Sequence, residues 1–319
     1  QPWPWSLRRT SLASRAHPLK KEGVHKTRGG SSSGSTVPRR MLGRQLRLLR
    51  EKAGVTVAQA CRTIEVSPQT MWRLEGGQGV KLKDIYVKAL CELYRSDDDE
   101  IAALMGLVQE TKRTGWWHAY GDAVPTYFDL YLGLEEAAQR LTTYHLTLLP
   151  GMLQTAAYRR AVIWGAYPGM PTVDVERRIE IAAQRQKRLQ EPRDRFGMNM
   201  FLGEAALRYG VGGPAVIAEQ LRHIIAVSRL PTATVRVVPF GTEAVLPLIT
   251  GSFTLLEFAP HANFTEPPVL YVEGYTGALY LDKPGEIDQY RLALKAIRAA
   301  ALNEHETREL VLNIAKEFE

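Results

Sequence analysis

Residues 56 to 75, T-V-A-Q-A-C-R-T-I-E-V-S-P-Q-T-M-W-R-L-E, constrain this chain more than any other stretch, because they spell two short helices joined by a brief link. Thr56 is placed to cap a helix running to Thr63. Ser67 followed by Pro68 is a strong start signal for the next: Ser accepts a hydrogen bond from an orphan amide, and Pro has no amide to leave unsatisfied. Gly76 and Gly77 end it. Two short helices that cross steeply need a small residue at the crossing and apolar residues at fixed points. Cys61 supplies the first, and Ala60, Ile64, Val66, Met71 and Leu74 supply the second. The outward face of the second helix is then Ser67, Gln69, Thr70, Trp72 and Arg73.

The flanking residues extend the pattern. Leu42, Leu46, Leu49 and Ala53 recur at helical spacing, with Arg44, Arg47 and Glu51 on the other face and Gly54 as a stop. Further helices are predicted from about Asp84 to Tyr94 and from about Asp97 to Lys112, the latter with four acidic residues at its positive end. Five short helices predict an all-α bundle. Charge is distributed to match: residues 1–40 hold nine Lys/Arg and one acidic residue, residues 41–95 ten and five, and the remainder 22 and 28. A basic surplus confined to the N-terminal part suits a small module that meets a polyanion, followed by a larger domain that does not. The outward residues fit that partner, since Gln pairs with adenine and Arg with guanine through two bonds each in the major groove, and Thr meets a thymine methyl or a phosphate.

Composition bounds the rest. A chain of 319 residues, 45% hydrophobic and 24% charged, has ample core material and is expected to form two domains. Its apolar runs all fall short of the roughly 18 residues of a membrane span. Cys61 and Cys91 are too few for a disulfide framework or a thiolate metal site, which predicts a reducing, cytoplasmic setting. Residues 1–40 contain W-P-W-S, a basic stretch and G-G-S-S-S-G-S with no apolar period, and are expected to be a disordered basic tail. Gln1 as first residue and Met41 as first methionine point to part of that tail being added or upstream-translated sequence.

The segment from 42 to about 95 resembles phage-repressor-type helix-turn-helix domains. In that family an Arg near the end of helix one pairs with a Glu at the end of the recognition helix, and the matching positions are Arg50 and Glu75. The resemblance implies a structural ion pair there. Two positions depart from the family: Glu65 stands where many members have a turn Gly, and Trp72 is large for a groove-facing site. Trp72 is suited instead to the sugar-phosphate backbone or to packing on helix four. Arg44, Arg47, Lys52 and Lys81 fit either phosphate contacts or ordinary solvated charges.

After about Asp122 the pattern mixes helices with short apolar strands. Helices are predicted over Gln154 to Gly165, Val173 to Gln190, Pro214 to Arg229 and Pro284 to Leu302. Strands are predicted over Phe196 to Phe201, Thr234 to Val238, Phe253 to Phe258, Val269 to Val272 and Ala278 to Leu281. The fold class is therefore multi-domain, an all-α helix-turn-helix bundle followed by a mixed α+β domain, with the helix-turn-helix domain at 41–95, a helical and aromatic linker at 96–125 and the α+β domain at 126–319. The blocks G-W-W-H-A-Y-G-D (115–122), Y-F-D-L-Y-L-G-L-E (127–135), L-L-P-G-M-L-Q-T (148–155), V-R-V-V-P-F (235–240), G-S-F-T-L-L-E-F (251–258) and Y-V-E-G-Y-T-G-A-L-Y-L (271–281) are similar to the WhiJ-like regulators of actinobacteria. That resemblance implies a role in transcription, a C-terminal domain of unknown function, and an antitoxin-like pairing with a small protein encoded nearby.

No active site is legible in the larger part, so it is not expected to be an enzyme, and no cofactor or metal is called for: the seven His are scattered without ligand spacing and there is no Gly-rich phosphate loop. Glu135, Glu257 and Glu273 stand among apolar and aromatic neighbours, either as strand residues on a wet face or as part of a polar site. Trp116, Trp117, Tyr120 and Tyr127, with Phe128 and Tyr131, form an aromatic cluster that either packs the domain junction or receives a ligand or partner. Arg177, Arg178, Arg185, Lys187 and Arg188 are expected on a solvated surface opposite an apolar helix face. The expected function is a dimeric, sequence-specific regulator that binds double-stranded DNA at a palindromic operator, with no membrane partner. The alternative is an antitoxin-like protein that holds a small partner and controls its own operon.

Overall fold

The computed structural model describes residues 36–81, 83–113, 115–124, 126–192, 194–260, 264–275 and 277–319, so most of the expected tail lies outside the described residues. Helix α1 spans Thr36–Lys52. Residues 36–40, which the sequence assigns to the tail, are thus its opening turn. Val37 lies one turn before Met41, and both are buried, which is the signal that a single apolar residue in a polar run conceals. Helix α2 (Val57–Thr63) starts at a reciprocal capping pair of Thr56 and Gln59. Helix α3 (Pro68–Glu75) starts at Ser67, whose hydroxyl accepts from the Thr70 amide. Helices α4 (Asp84–Tyr94) and α5 (Asp98–Thr111) complete the bundle, α5 with an Asp97–Glu100 capping pair. Leu42, Leu46, Met71, Leu90, Leu104 and Leu107 are sealed inside, each contributing about 1.5–3 kcal/mol by burial.

Helix α1 lies directly against the end of α3. A Cβ on Gly43 would stand 2.3 Å from the Leu74 carbonyl oxygen and 2.9 Å from that of Glu75. Gly77, at φ 66°, faces the same contact, where a Cβ would stand 2.6 Å from Arg40 Cα. Backbone meets backbone here, with no room for a side chain between.

After a 3-10 segment (Trp116–Ala123), helix α6 (Thr126–Ala137) leads without a break into strand β1 (Ala138–His145). Helices α7 (Ala156–Ala166) and α8 (Thr172–Gln186) connect β1 to β2 (Gly197–Gly203), and α9 (Ala205–Arg208) and α10 (Pro214–Val227) connect β2 to β3 (Ala233–Val238). Helix α11 (Val245–Ile249) precedes β4 (Phe253–Phe258), β5 (Val269–Gly274) and β6 (Gly277–Leu281), and helices α12 (Pro284–Ala300) and α13 (Glu304–Lys316) follow. The six strands form one sheet in the order β3-β2-β1-β4-β5-β6. Strands β1, β2 and β3 run parallel, and the pairs β1–β4, β4–β5 and β5–β6 are antiparallel.

Alternation along the strands explains both faces. Met198, Met200, Val235, Val237 and Leu256 point to the side covered by α10 and α13, in a core continuous with that of the bundle. Phe201, Val238, Phe253, Leu255 and Leu270 point to the other, where Ile287, Leu294 and Ile297 of α12 cover them. The architecture is a helical bundle followed by an α+β region, joined through the packing of α1 on α6. No helix among the described residues is long and apolar enough to cross a membrane. We expect Gly43→Ala to destabilise the protein by about 1–3 kcal/mol in chemical denaturation through the clash with α3. Gly106→Ala, in α5 with open space around it, should be neutral or stabilising by about 0.4–1 kcal/mol.

Candidate nucleic-acid interface

Helices α2 and α3 are joined at Ile64 to Ser67 by a turn whose pivot is Glu65, at φ 53°. A non-glycine residue in this left-handed region costs about 1–2 kcal/mol. The turn is closed by the Val66 amide donating to the Cys61 carbonyl at 3.0 Å. Beneath it, Arg50 of α1 grips Glu75 at the end of α3 with two bonds, Nε to Oε1 at 2.6 Å and Nη2 to Oε2 at 3.0 Å. Its remaining Nη1 donates to the Val55 carbonyl. Both side chains are largely buried, so the pair fixes the orientation of α3 relative to α1.

With Met71 and Leu74 turned inward, Ser67, Gln69, Trp72 and Arg73 are exposed and Thr70 is half-buried. Ser67 is occupied as the cap and contacts the Thr70 hydroxyl at 2.9 Å. Arg73 Nη2 donates to the Gly79 carbonyl at 2.6 Å, which holds its guanidinium at the surface beyond the helix end. Trp72 is 66% exposed. Most of its ring surface therefore faces solvent. The exposed face of α3 therefore combines an amide, an indole and a guanidinium.

The basic residues of α1 divide into two groups. Arg47 is exposed and pairs with Glu51 one turn on. Arg40 instead reaches the larger region, with Nε to Glu266 at 2.8 Å and Nη2 to Asp282 at 2.7 Å. Arg44 turns the same way, 3.7 Å from Glu266 and 3.8 Å from Asp282. Lys52 lies 3.6 Å from Glu100, and Lys81 is exposed.

The aromatic residues divide between a packed cluster and the lining of a cavity, which Phe128 and Tyr131 border. Trp117 is buried against Leu132 and Ile181 and donates to Asp129 at 2.6 Å. Trp116 donates to Glu136 and meets Tyr120 edge-on. Tyr127 lies in α6, and its side chain is outside the described residues. Glu257 is half-exposed, 3.6 Å from Arg291. Glu135 is not on a wet strand: it sits in α6, 2% exposed, and accepts from Arg185 Nε at 2.6 Å and Nη2 at 2.7 Å. The surface reading of Arg185 and Arg188 is likewise corrected, since both are buried. Arg188 donates to the carbonyls of Glu135 and Ala138 and lies over the Phe196 ring. Sequence reasoning missed this because a basic run at helical spacing looks the same whether its stripe meets water or a buried acid. Of the acidic candidates, Glu273 lines a cavity that Glu135 borders through Arg185.

The α2–turn–α3 unit, clamped by Arg50 and Glu75 and open on its outer face, defines a helix-turn-helix protein, a DNA-binding regulator in general terms. Residues 41–104 match the family model described as a helix-turn-helix domain. Residues 128–313 match that of a domain of unknown function, DUF5753, and the chain belongs to this family. No curated protein and no solved structure matches the chain.

Burial pushes the Glu135 carboxyl up, but Arg185 outweighs it and holds the group below the usual carboxylate range. The stability linked to it is fully present at neutral pH and is lost as the pH falls through the folded-state value. Glu135→Gln, which leaves Arg185 buried and unpaired, should cost about 3–5 kcal/mol at neutral pH and flatten the acid limb of stability measured by denaturation.

Proposed function

We propose that this chain is a dimeric, sequence-specific transcription regulator whose α3 enters the major groove of a palindromic operator. The observation that carries the reading is the outward face of α3, where Gln69, Trp72 and Arg73 are exposed while the helix is held rigidly from behind. In this reading Gln69 and Arg73 meet base edges, Thr70 and Trp72 meet the groove wall, and Ser67 supplies the helix start from which the others project. Arg47 faces solvent and is the better phosphate contact. Arg44, drawn toward Glu266 and Asp282, is the poorer one. The sheet region pairs two copies and receives a regulatory input, with no catalytic step.

A second reading, supported by a separate observation, makes the protein antitoxin-like. Val245, Leu248 and Ile249 of α11 and Leu292 of α12 are exposed apolar residues on two helices that pack together, which suits a small partner protein. The six sequence blocks similar to WhiJ-like regulators of actinobacteria support the same reading. Stoichiometric recovery of a neighbour-encoded protein, lost in Ile249→Asp, would favour it. Recovery of the chain alone would oppose it.

The regulator reading is tested on the duplex that the purified protein selects from a random pool. Arg73→Ala should weaken binding to that duplex by about 1–3 kcal/mol and relax the base preference at one position, whereas Arg47→Ala should weaken all duplexes alike and reduce the salt dependence. Equal losses on selected and random duplexes for Arg73→Ala would contradict its assigned role.

A further inference from the structure

We infer that the cavity bounded by α6, α7, α8 and the β1–β4–β5 part of the sheet binds a small organic anion, a phosphate or carboxylate carried on an apolar body. The cavity is about 290 Å³, close to the lower size for a small-molecule site. Arg159 from α7 and Arg178 and Arg185 from α8 line it, opposite the aromatic rings of Phe128 and Tyr131. Arg185 is satisfied by Glu135. The other two are not matched in this way. Arg159 makes one bond, from Nη1 to Gln154 Oε1 at 3.2 Å, and its Nε is buried with no hydrogen-bond partner among the described residues. Arg178 Nε is buried in the same condition, and its guanidinium lies 5.5 Å from the Tyr167 ring.

Other acidic groups nearby are engaged elsewhere: Glu176 pairs with Arg160, and Asp174 with Arg177. Among the described residues, Glu273 of β5 is the one carboxyl lining the cavity, against two guanidiniums beyond the Arg185–Glu135 pair. Burial pushes the Glu273 carboxyl up, against the opposing pull of Arg185 and Arg159. Arg159 is pushed down to about 10 by burial and by Arg185, yet stays protonated at neutral pH. His145 is held neutral, with burial lowering it to about 4. A buried guanidinium N–H without a hydrogen-bond partner is costly, as is the approach of like charges, and an anion of matching fork geometry relieves both costs. The loop backbone is shaped to the same point. A Cβ on Gly151 would stand 3.1 Å from Arg185 Nη1 and 3.2 Å from Arg159 Nη1, so even a methyl group crowds the guanidiniums.

Anion binding in this cavity does not depend on DNA binding, and it is tested on the full chain by titration calorimetry at pH 7 with phenyl phosphate, benzoate and phenol. One or both anions should bind saturably at one per chain, and phenol should not. Binding of one anion alone identifies the headgroup. Arg178→Gln and Arg159→Gln should each weaken the bound anion at least tenfold. Arg178→Gln should leave the Tm unchanged or raised, because it relieves repulsion. In the NMR titration of the protein saturated with that anion, the His145 ring should titrate above its value in the free protein. Failure of both anions to bind, equal binding of phenol, or unchanged anion affinity in both variants would overturn the inference. So would a fall in Tm for Arg178→Gln without loss of binding, which marks a purely structural role.

Discussion

Helix α3 has eight residues, far fewer than a helix needs to hold itself in water, so its position is imposed by what it rests on. Two contacts with α1 impose it. At Gly43 the backbones touch, which sets the distance, and at Arg50 a two-point grip on Glu75 sets the rotation. Arg50 also bonds the Val55 carbonyl in the turn ahead of α2, so one side chain ties α1 to both that turn and the end of α3. Removing two charges from water is expensive, and such a pair contributes more to orientation than to net stability. That orientation decides which side chains of α3 face solvent.

The opposite flank of α1 is tied to the larger region by charge. Arg40 and Arg44 converge on Glu266, just ahead of β5, and on Asp282, just after β6. Glu266 is buried, whereas Asp282 and Arg44 are partly exposed, so salt weakens the contacts to Asp282 more than it weakens the buried Arg50–Glu75 pair. Strand β5 then runs from the tether at one end to Glu273 at the other, with Tyr271 between, and both line the cavity. The bundle and the cavity wall are therefore attached to two ends of one strand.

Much of this was legible from the residue order, and the failures have definite causes. The start of α3 was readable because Ser67 and Pro68 act locally, through amides only a few residues away. Five strands were readable from apolar runs bounded by Gly or Pro. Strand β1 was not, although it is central: it follows α6 with no breaker, exposes Gln139 and Arg140 directly after its first residue, and buries Thr142 and Thr143 where apolar residues are expected. Those threonines are tolerated because Thr142 accepts from Asn199 Nδ2, while Thr143 donates to the Phe253 carbonyl and contacts the Thr254 hydroxyl across the strand pair. Arg185 and Glu135 lie fifty positions apart, so no local pattern announces that they meet. The three-arginine cavity shares that origin, being assembled by the crossing of α7 and α8 over the sheet rather than by any motif.

The central claim is that the solvent face of α3 is where this protein meets DNA. Hydrogen exchange of the full chain, with and without the duplex it enriches from a random pool, tests it most directly. The account predicts slowed exchange confined to α3 and the turns on either side of it, residues 64–79. Protection on the sheet region with α3 unchanged, or a pool from which no duplex is enriched, would contradict it.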